Sequence, residues 1–309
     1  MKYKEWLEIW LKNYVKPTVK LKTYGSYSQI VRQHIVCKLG EEELDEITPL
    51  KLQQFVTELM QNGNLLTKQG LSANFVNGII NVLQNSLKLS YMLGETKAYV
   101  GNRIKRPQPQ EKAVTCFTLQ EQKKIEQAVL SDNRYKMFGV VLCLYSGLRV
   151  GELLALKWSD MDFLKGTITV NRTCYDGQDE YGKLCRIEDT PKTTSSRRVI
   201  PLPKQILQLL KSHQRRNKSE YIISSEGNPV YVRSYQRSFD LLLKKIKIKS
   251  RGFHSLRHTF ATRALECGMD VKTLSEILGH KNPIITLNRY AHSMMEHKKE
   301  MMNKLGEIL

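Results

Sequence analysis

Four separated groups of side chains carry types and spacings suited to work on an anion. Arg149 and Glu152 stand three apart in Ser146-Gly147-Leu148-Arg149-Val150-Gly151-Glu152, which places both on one side of a first helical turn. A guanidinium there forks onto two phosphate oxygens while the carboxylate holds it. The same pair also reads as an ordinary surface ion pair worth under about 1 kcal/mol. Lys192, in Thr190-Pro191-Lys192-Thr193-Thr194-Ser195-Ser196-Arg197-Arg198, lies between two strand-like runs. Its ammonium is either solvated at a turn or set to protonate a departing oxygen. His254 and Arg257 are three apart in Phe253-His254-Ser255-Leu256-Arg257-His258, with Leu256 and Phe260 facing a core. Two such groups on one helical face repel each other, so their place at a helix start points to a shared anion. Last, Leu278-Gly279-His280-Lys281-Asn282-Pro283 is followed by Tyr290. A tyrosine most often packs its ring and bonds its hydroxyl, and nothing local separates this one from the other tyrosines.

The elements that position these groups follow from periodicity and from helix-ending residues. Gly147 permits an unusual backbone ahead of a helix whose Leu153, Leu154 and Leu156 pack inward. Thr118 and Glu121 have capping-box spacing, and helical patterns follow over about 134–145 and 149–157. Thr167-Ile168-Thr169-Val170 and Arg197-Arg198-Val199-Ile200 alternate as strands, with Gly, Asp and Lys turns expected between them. Helices resume near Lys204. Gly279 ends one helix, Asn282-Pro283 begins the next, and Tyr290 falls two turns into it.

The first third reads as helical throughout. Trp6, Ile9, Trp10 and Leu11 cluster at helical spacing, as do Ile30, Val31 and Ile35. Thr48-Pro49 starts a helix carrying Leu52, Phe55, Val56 and Leu59. A further helix from about Ser72 carries Val76, Ile79, Ile80, Leu83 and Leu87. Four short helices imply a small bundle. The polar, basic stretch 102–114, broken by Pro107 and Pro109, reads as an interdomain linker. The division is therefore a helical domain over 1–101, a mixed α+β domain over 115–292 and an amphipathic tail over 293–309. The fold class is mainly α with a small antiparallel sheet in the second domain.

Composition narrows the function. The 309 residues carry 49 Lys+Arg against 30 Asp+Glu, a formal charge of +19. Both parts are basic, +6 through residue 108 and +13 beyond it. Such a surplus points to a polyanion, because each cation that neutralises a phosphate releases counterions. No apolar run reaches the ~20 residues needed to span a bilayer, and no secretory signal is expected from the N-terminus. Six scattered cysteines without a C-x-x-C pair favour neither a zinc site nor a disulfide scaffold. Lys20, Lys22, Thr23, Tyr24 and Arg32 lie in a basic, aromatic stretch, and Asn74 and Asn77 follow on a helix. They are the candidate backbone and base-edge contacts of a DNA-binding face, and each also reads as a solvated surface residue.

In combination, the order Arg149, Lys192, His254, Arg257, His280, Tyr290 resembles the tyrosine recombinase (phage integrase) family. The phrases that carry the likeness are SGLRVGELLALKW, TPKTTSSRR, FHSLRHTFAT and LGHKNPIITLNRYAH, spread over most of residues 115–292. The helical part, from YKEWLEIWLKNY onward, resembles the family's core-type DNA-binding domain. The whole is most similar to integrases of conjugative transposons and temperate phages of Gram-positive bacteria. Many of those begin with a further small arm-site-binding domain ahead of this point.

The resemblance implies a site-specific recombinase that cuts and rejoins DNA. Arg149, Arg257 and His280 would surround the scissile phosphate, and Tyr290 would form a 3′-phosphotyrosyl bond. His254 would assist removal of the Tyr290 proton, and Lys192 would protonate the leaving 5′ oxygen. No cofactor, metal or ATP is implied. The implied partners are double-stranded attachment sites, three further copies of the chain in a tetramer on DNA, and accessory DNA-bending or excision factors. No membrane is implied, and the place of action is the bacterial cytoplasm, at the nucleoid. Two domains would clamp the duplex, and the tail would dock on a neighbouring protomer. Two rivals remain: a type IB topoisomerase, which reseals one strand without exchange, and a non-catalytic DNA-binding protein, which forms no covalent adduct.

Overall fold

Tyr3, Trp6, Leu7 and Trp10 recur at helical spacing and are buried along one side of α1 (Tyr3–Trp10). This helix runs on through wider π-type turns over Leu11–Val15. Helix α2 (Leu21–Ile30) likewise continues through Val31–Ile35 into the short α3 (Val36–Leu39). Helix α4 (Pro49–Asn62) begins where Thr48 Oγ1 accepts from the Lys51 N–H and Pro49 fills the first position. Helix α5 (Ala73–Met92) is capped by Ser72, and its expected stripe is buried. The polar edges of this core are also satisfied. Tyr3 and Ser86 share a buried hydrogen bond at 2.7 Å, and the Trp6 indole donates to the Ser86 carbonyl at 3.0 Å.

The computed structural model describes residues 1–110, 115–131, 135–178, 182–190, 197–280 and 282–290, with 299, 302–303 and 305–307. They fall into two compact units, Met1–Lys112 and Ala113–Leu309. Much of the stretch expected to be a linker is fastened to the first unit. Ile104 is buried in its core, the Lys105 N–H donates to Gln53, and Asn77 Nδ2 donates to the Pro107 carbonyl at 2.9 Å. Prolines bar helix here but leave carbonyls for neighbouring side chains.

In the second unit, α6 (Leu119–Leu130) opens with the expected reciprocal Thr118–Glu121 cap. Helix α7 (Phe138–Ser146) is apolar nearly all round and is buried, and the short α8 (Val150–Ala155) follows it. Strands β1 (Met161–Asp162) and β2 (Thr167–Val170) come next, then a hairpin of β3 (Thr173–Gln178) and β4 (Leu184–Asp189), then β5 (Arg198–Pro201). The sheet order is β1-β2-β5, all antiparallel, with Val170 opposite Arg198 and Ile168 opposite Ile200. Helix α9 (Lys204–Arg216), a small ladder of β6 (Ser224–Ser225) and β7 (Asn228–Pro229), and α10 (Val232–Lys245) lead to the last three helices. These are α11 (His254–Glu266), α12 (Val271–Leu278) and α13 (Pro283–Tyr290).

Mainly helical architecture with small antiparallel sheets is therefore observed, but the β3–β4 hairpin departs from the turns expected between the two strand-like runs. Its residues mix polar and apolar types without alternation, Cys174 and Tyr175 being buried side by side and most others half-buried, so no period-2 contrast marks them. Tertiary contacts hold it instead. Arg186 donates to the Leu154 carbonyl at the end of α8, and Asp176 caps α10 through the Val232 and Arg233 N–H groups. Among the described residues, no helix is long and apolar enough to cross a membrane.

Candidate active site

Helix α12 stops at Gly279, whose left-handed φ of 64° turns the chain sharply. The last carbonyls of a helix lack intrahelical partners and form the negative end of its dipole. Here arginines supply the donors. Arg198 donates through Nε to the Ile277 carbonyl. Arg257 donates to Leu278 at 2.7 Å, and Arg149 donates to Leu278 and Gly279 at 3.3 Å each. Three guanidinium groups, from β5, α11 and the start of α8, thus converge on one helix terminus.

Each is delivered by its own local device. Gly147 ends α7 with a φ of 63°, and a Cβ there would stand 2.5 Å from Phe260 Cδ1, so only glycine fits. Its carbonyl accepts from Arg257 Nη1 at 2.8 Å. The chain then extends for Arg149, which is the N-cap of α8 rather than a first-turn residue as its spacing with Glu152 had implied. The pairing survives the correction, because a cap and the third helical residue also face each other. The Arg149 N–H donates to Glu152 Oε2 at 2.9 Å and its Nη1 to Oε1 at 2.8 Å.

Glu152 is buried and also receives both Nη groups of Arg198, at 3.1 and 2.8 Å. Burial pushes its carboxyl pKa up, but the Arg198 hydrogen bonds and charge, with the Arg149 charge, outweigh this and hold it at about 2. Arg257 is 2% exposed, whereas the side chain of Arg149 is 37% exposed. Arg149 is thus the cation of this cluster that solvent or a ligand reaches most easily.

His280 follows directly. Its Nε2 lies 2.9 Å from Arg257 Nη2 and its Nδ1 lies 2.7 Å from Thr286 Oγ1. A guanidinium only donates, so in this arrangement Nε2 accepts and the proton sits on Nδ1, facing Thr286. Thr286 is buried on α13, one turn before Tyr290, which ends that helix. The helix bearing the candidate nucleophile is therefore tied to His280.

Arg149, Arg257 and His280 are brought together. His254 is exposed at the first position of α11, one turn before Arg257, with its ring edge-on to His258 at 4.6 Å. It does not share an outward face with Arg257, which turns into the interior. Lys192 and most of the expected tail lie outside the described residues, as does the Tyr290 side chain. In the first unit, Lys20 precedes α2, while Lys22, Thr23 and Tyr24 lie in its first turn. Lys22, Arg32 and Asn74 are exposed, Tyr24 packs on the core, and Asn77 is engaged with Pro107.

Two residues of the site escaped sequence reasoning, Arg198 and Thr286. Strand alternation held a signal for the first, because Arg198 shares a face with Ile200, and a charge on an apolar face requires a buried partner. Thr286 carried none.

The chain is similar to known proteins in both sequence and fold. The profile described as "Phage integrase family" matches residues 116–297, and that described as "Phage integrase, N-terminal SAM-like domain" matches residues 2–60. A protein named tyrosine recombinase XerC-like, from Caldanaerobacter subterraneus subsp. tengcongensis, is 30% identical over 98% of this chain and 82% of its own length. The ICEBs1 integrase of Bacillus subtilis is 27% identical, over 93% of this chain and 78% of its own length. In fold, the Tn1549 transposon integrase, solved in complex with a circular intermediate DNA, superposes with a TM-score of 0.81. It shares 21% identity, covering 99% of both chains.

Proposed function

This chain belongs to the phage integrase family, and from that premise we propose that it is a site-specific tyrosine recombinase that integrates or excises a mobile element. The observation that carries the reading is the convergence of Arg149, Arg257 and His280 beside Glu152 and Arg198. With the imidazole neutral, three guanidinium groups and one carboxylate leave a local surplus of positive charge. A transition state with added negative charge on its phosphoryl oxygens is stabilised by such a surplus, already oriented before the substrate arrives.

The Tyr290 phenol oxygen attacks phosphorus and the bond to the 5′ oxygen breaks. His254 takes the phenolic proton and Lys192 gives one to the departing oxygen. A 3′-phosphotyrosyl ester and a free 5′-hydroxyl result. The ester keeps the energy of the broken bond, so the 5′-hydroxyl of a second strand reverses the attack without ATP. In this scheme cationic side chains fill the place of a metal clamp. Arg149 and Arg257 bind the nonbridging oxygens. Once Arg257 has moved its Nη2 onto the phosphate, His280 takes the tautomer with its proton on Nε2, its Nδ1 accepting from the Thr286 hydroxyl, and donates to one of those oxygens.

Exchange between two duplexes requires four cleavages, which calls for four protomers on DNA, with the tail after about residue 293 docking on a neighbour. Lys20, Lys22, Thr23, Tyr24, Arg32, Asn74 and Asn77 form the first unit's contact face to the attachment site. The reaction belongs in the bacterial cytoplasm, at the nucleoid, where accessory DNA-bending proteins assist. The decisive test uses a nicked substrate that traps the covalent step. Wild-type protein is expected to give a protein–DNA adduct on a denaturing gel, and Tyr290→Phe none, with DNA binding retained. An adduct formed by the Phe variant would remove Tyr290 as nucleophile.

A further inference from the structure

A carboxylate in contact with the arginine that binds the scissile phosphate poses a problem. Paired by itself with Arg149, Glu152 would cancel the charge that the phosphate needs. We infer that Arg198 is a positioning and charge-compensating residue that keeps Glu152 from neutralising Arg149, so that the Arg149 charge remains available to the DNA. The inference rests on the recombinase reading above and adds to it a residue with no contact to the substrate.

The geometry is specific. Glu152 accepts four hydrogen bonds, two from Arg149 and two from Arg198, which fills the capacity of an ionised carboxylate. Arg149, Glu152 and Arg198 together carry a single positive charge. The Arg198 side chain is 5% exposed and that of Glu152 is 5%, so the compensating charge is shielded from solvent while Arg149 is not. The third donor of Arg198, Nε, fixes the Ile277 carbonyl, next to the carbonyls that Arg149 and Arg257 use. Gly279 makes room for it: a Cβ there would lie 3.0 Å from Arg198 Cδ and Nη1. Arg198 thus sets the charge of Arg149 through Glu152 and the position of the turn that carries His280.

The test measures single-turnover adduct formation on two nicked substrates, one with a normal scissile phosphodiester and one with a methylphosphonate there. The methylphosphonate lacks the nonbridging negative charge that Arg149 answers. Arg198→Met is expected to slow cleavage of the phosphodiester by about 100-fold, within the range for removal of a preorganised electrostatic donor. On the methylphosphonate it should stay within about threefold of wild type, because little charge remains to be bound. Arg198→Lys keeps the charge without the fork and should remain within about tenfold of wild type on the phosphodiester. Adding Glu152→Gln to Arg198→Met removes the charge that needed compensation and should recover at least about tenfold over Arg198→Met. Equal losses on both substrates, a Lys variant as slow as the Met variant, or no recovery in the double variant would each overturn the inference in favour of a packing role. Failure of the wild-type chain to form any adduct would instead overturn the recombinase reading.

Discussion

The two units hold their candidate functional cations in opposite ways. In the second, Arg257 and Arg198 are buried and fastened to carbonyls and a carboxylate before any ligand arrives. In the first, the candidate contacts lie along the surface of α2 and the segment after it. No Asp or Glu occurs between Glu8 and Glu41, whereas Lys12, Lys16, Lys20, Lys22 and Arg32 do. The acidic residues of that unit gather elsewhere, where Glu41 holds Lys2 and Lys4 and Glu42 holds Lys51. Stabilising a transition state rewards donors that need no reorganisation, while holding a duplex requires only charge that reaches its phosphates. Rigid and buried cations in one region, and segregated surface cations in the other, are the expected solutions to those two tasks.

The contrast is broken most easily at Arg257. Arg257→Met removes donors to Gly147, Leu278 and His280 at once. Adduct formation should fall by about 10²–10³-fold. Orphaned buried acceptors should cost about 3 kcal/mol of stability, or about 6–12 °C in Tm for a unit of this size. Arg149→Gln should reduce cleavage by a similar factor. Its Tm should fall by no more than about 2–4 °C, because Arg198 still partners Glu152. Equal thermal losses in the two variants, measured by calorimetry, would mean that Arg149 belongs to the packed framework and that the contrast is misdrawn.

A smaller effect separates two carboxylates. Glu152 in the second unit and Glu41 in the first are both held at about 2. For Glu41 the causes are hydrogen bonds from Lys2 and then Lys4, and the group is exposed to solvent. A carboxylate depressed in the folded state contributes stability that is present above its unfolded value of 4.5 and is lost as pH falls through about 2. Carbon-detected titration of glutamate side chains at low salt and at about 1 M salt, where the screening length is about 3 Å, should resolve them. Glu41 should return toward 4.5 at high salt, and Glu152 should not. A Glu152 that follows salt as Glu41 does would show that its partners are solvated.

What was legible in the sequence follows the same division. Caps at Thr48 and Thr118, the start of α5 near Ser72 with its stripe, and the turn at Gly279 are local signals, and all were readable. Arg149, His254, Arg257 and His280 were readable as types in order, but the meeting of Arg149, Arg257 and His280 at the end of α12 depends on contacts spanning 21 to 130 residues. Arg198 was hidden because its neighbours in sequence place it beside another arginine in a basic run, while its partner Glu152 lies 46 residues away. The inward turn of Arg257 was hidden because helical spacing gives neighbours on a helix, not which face the core claims. The β3–β4 hairpin lacks alternation and owes its place to Arg186 and Asp176.

The smallest expected effects belong to the first unit. Neutralising Lys22 or Arg32 singly to Gln should change stability by no more than about 0.5 kcal/mol, since both are exposed and neither lies in the core. Cleavage at saturating DNA should not change. Only the salt dependence of binding should respond. Each phosphate deprived of its cation lowers the slope of log K against log salt by about 0.9. Removing both should therefore lower it by nearly two, whereas removing Lys38, which is paired with Glu58, should lower it by much less. Fluorescence anisotropy across a salt series measures this directly. Identical slopes for the Lys38 variant and for the variant lacking Lys22 and Arg32 would place the DNA on another face of the unit. A fall in saturated cleavage rate would show that these cations also act on the chemical step.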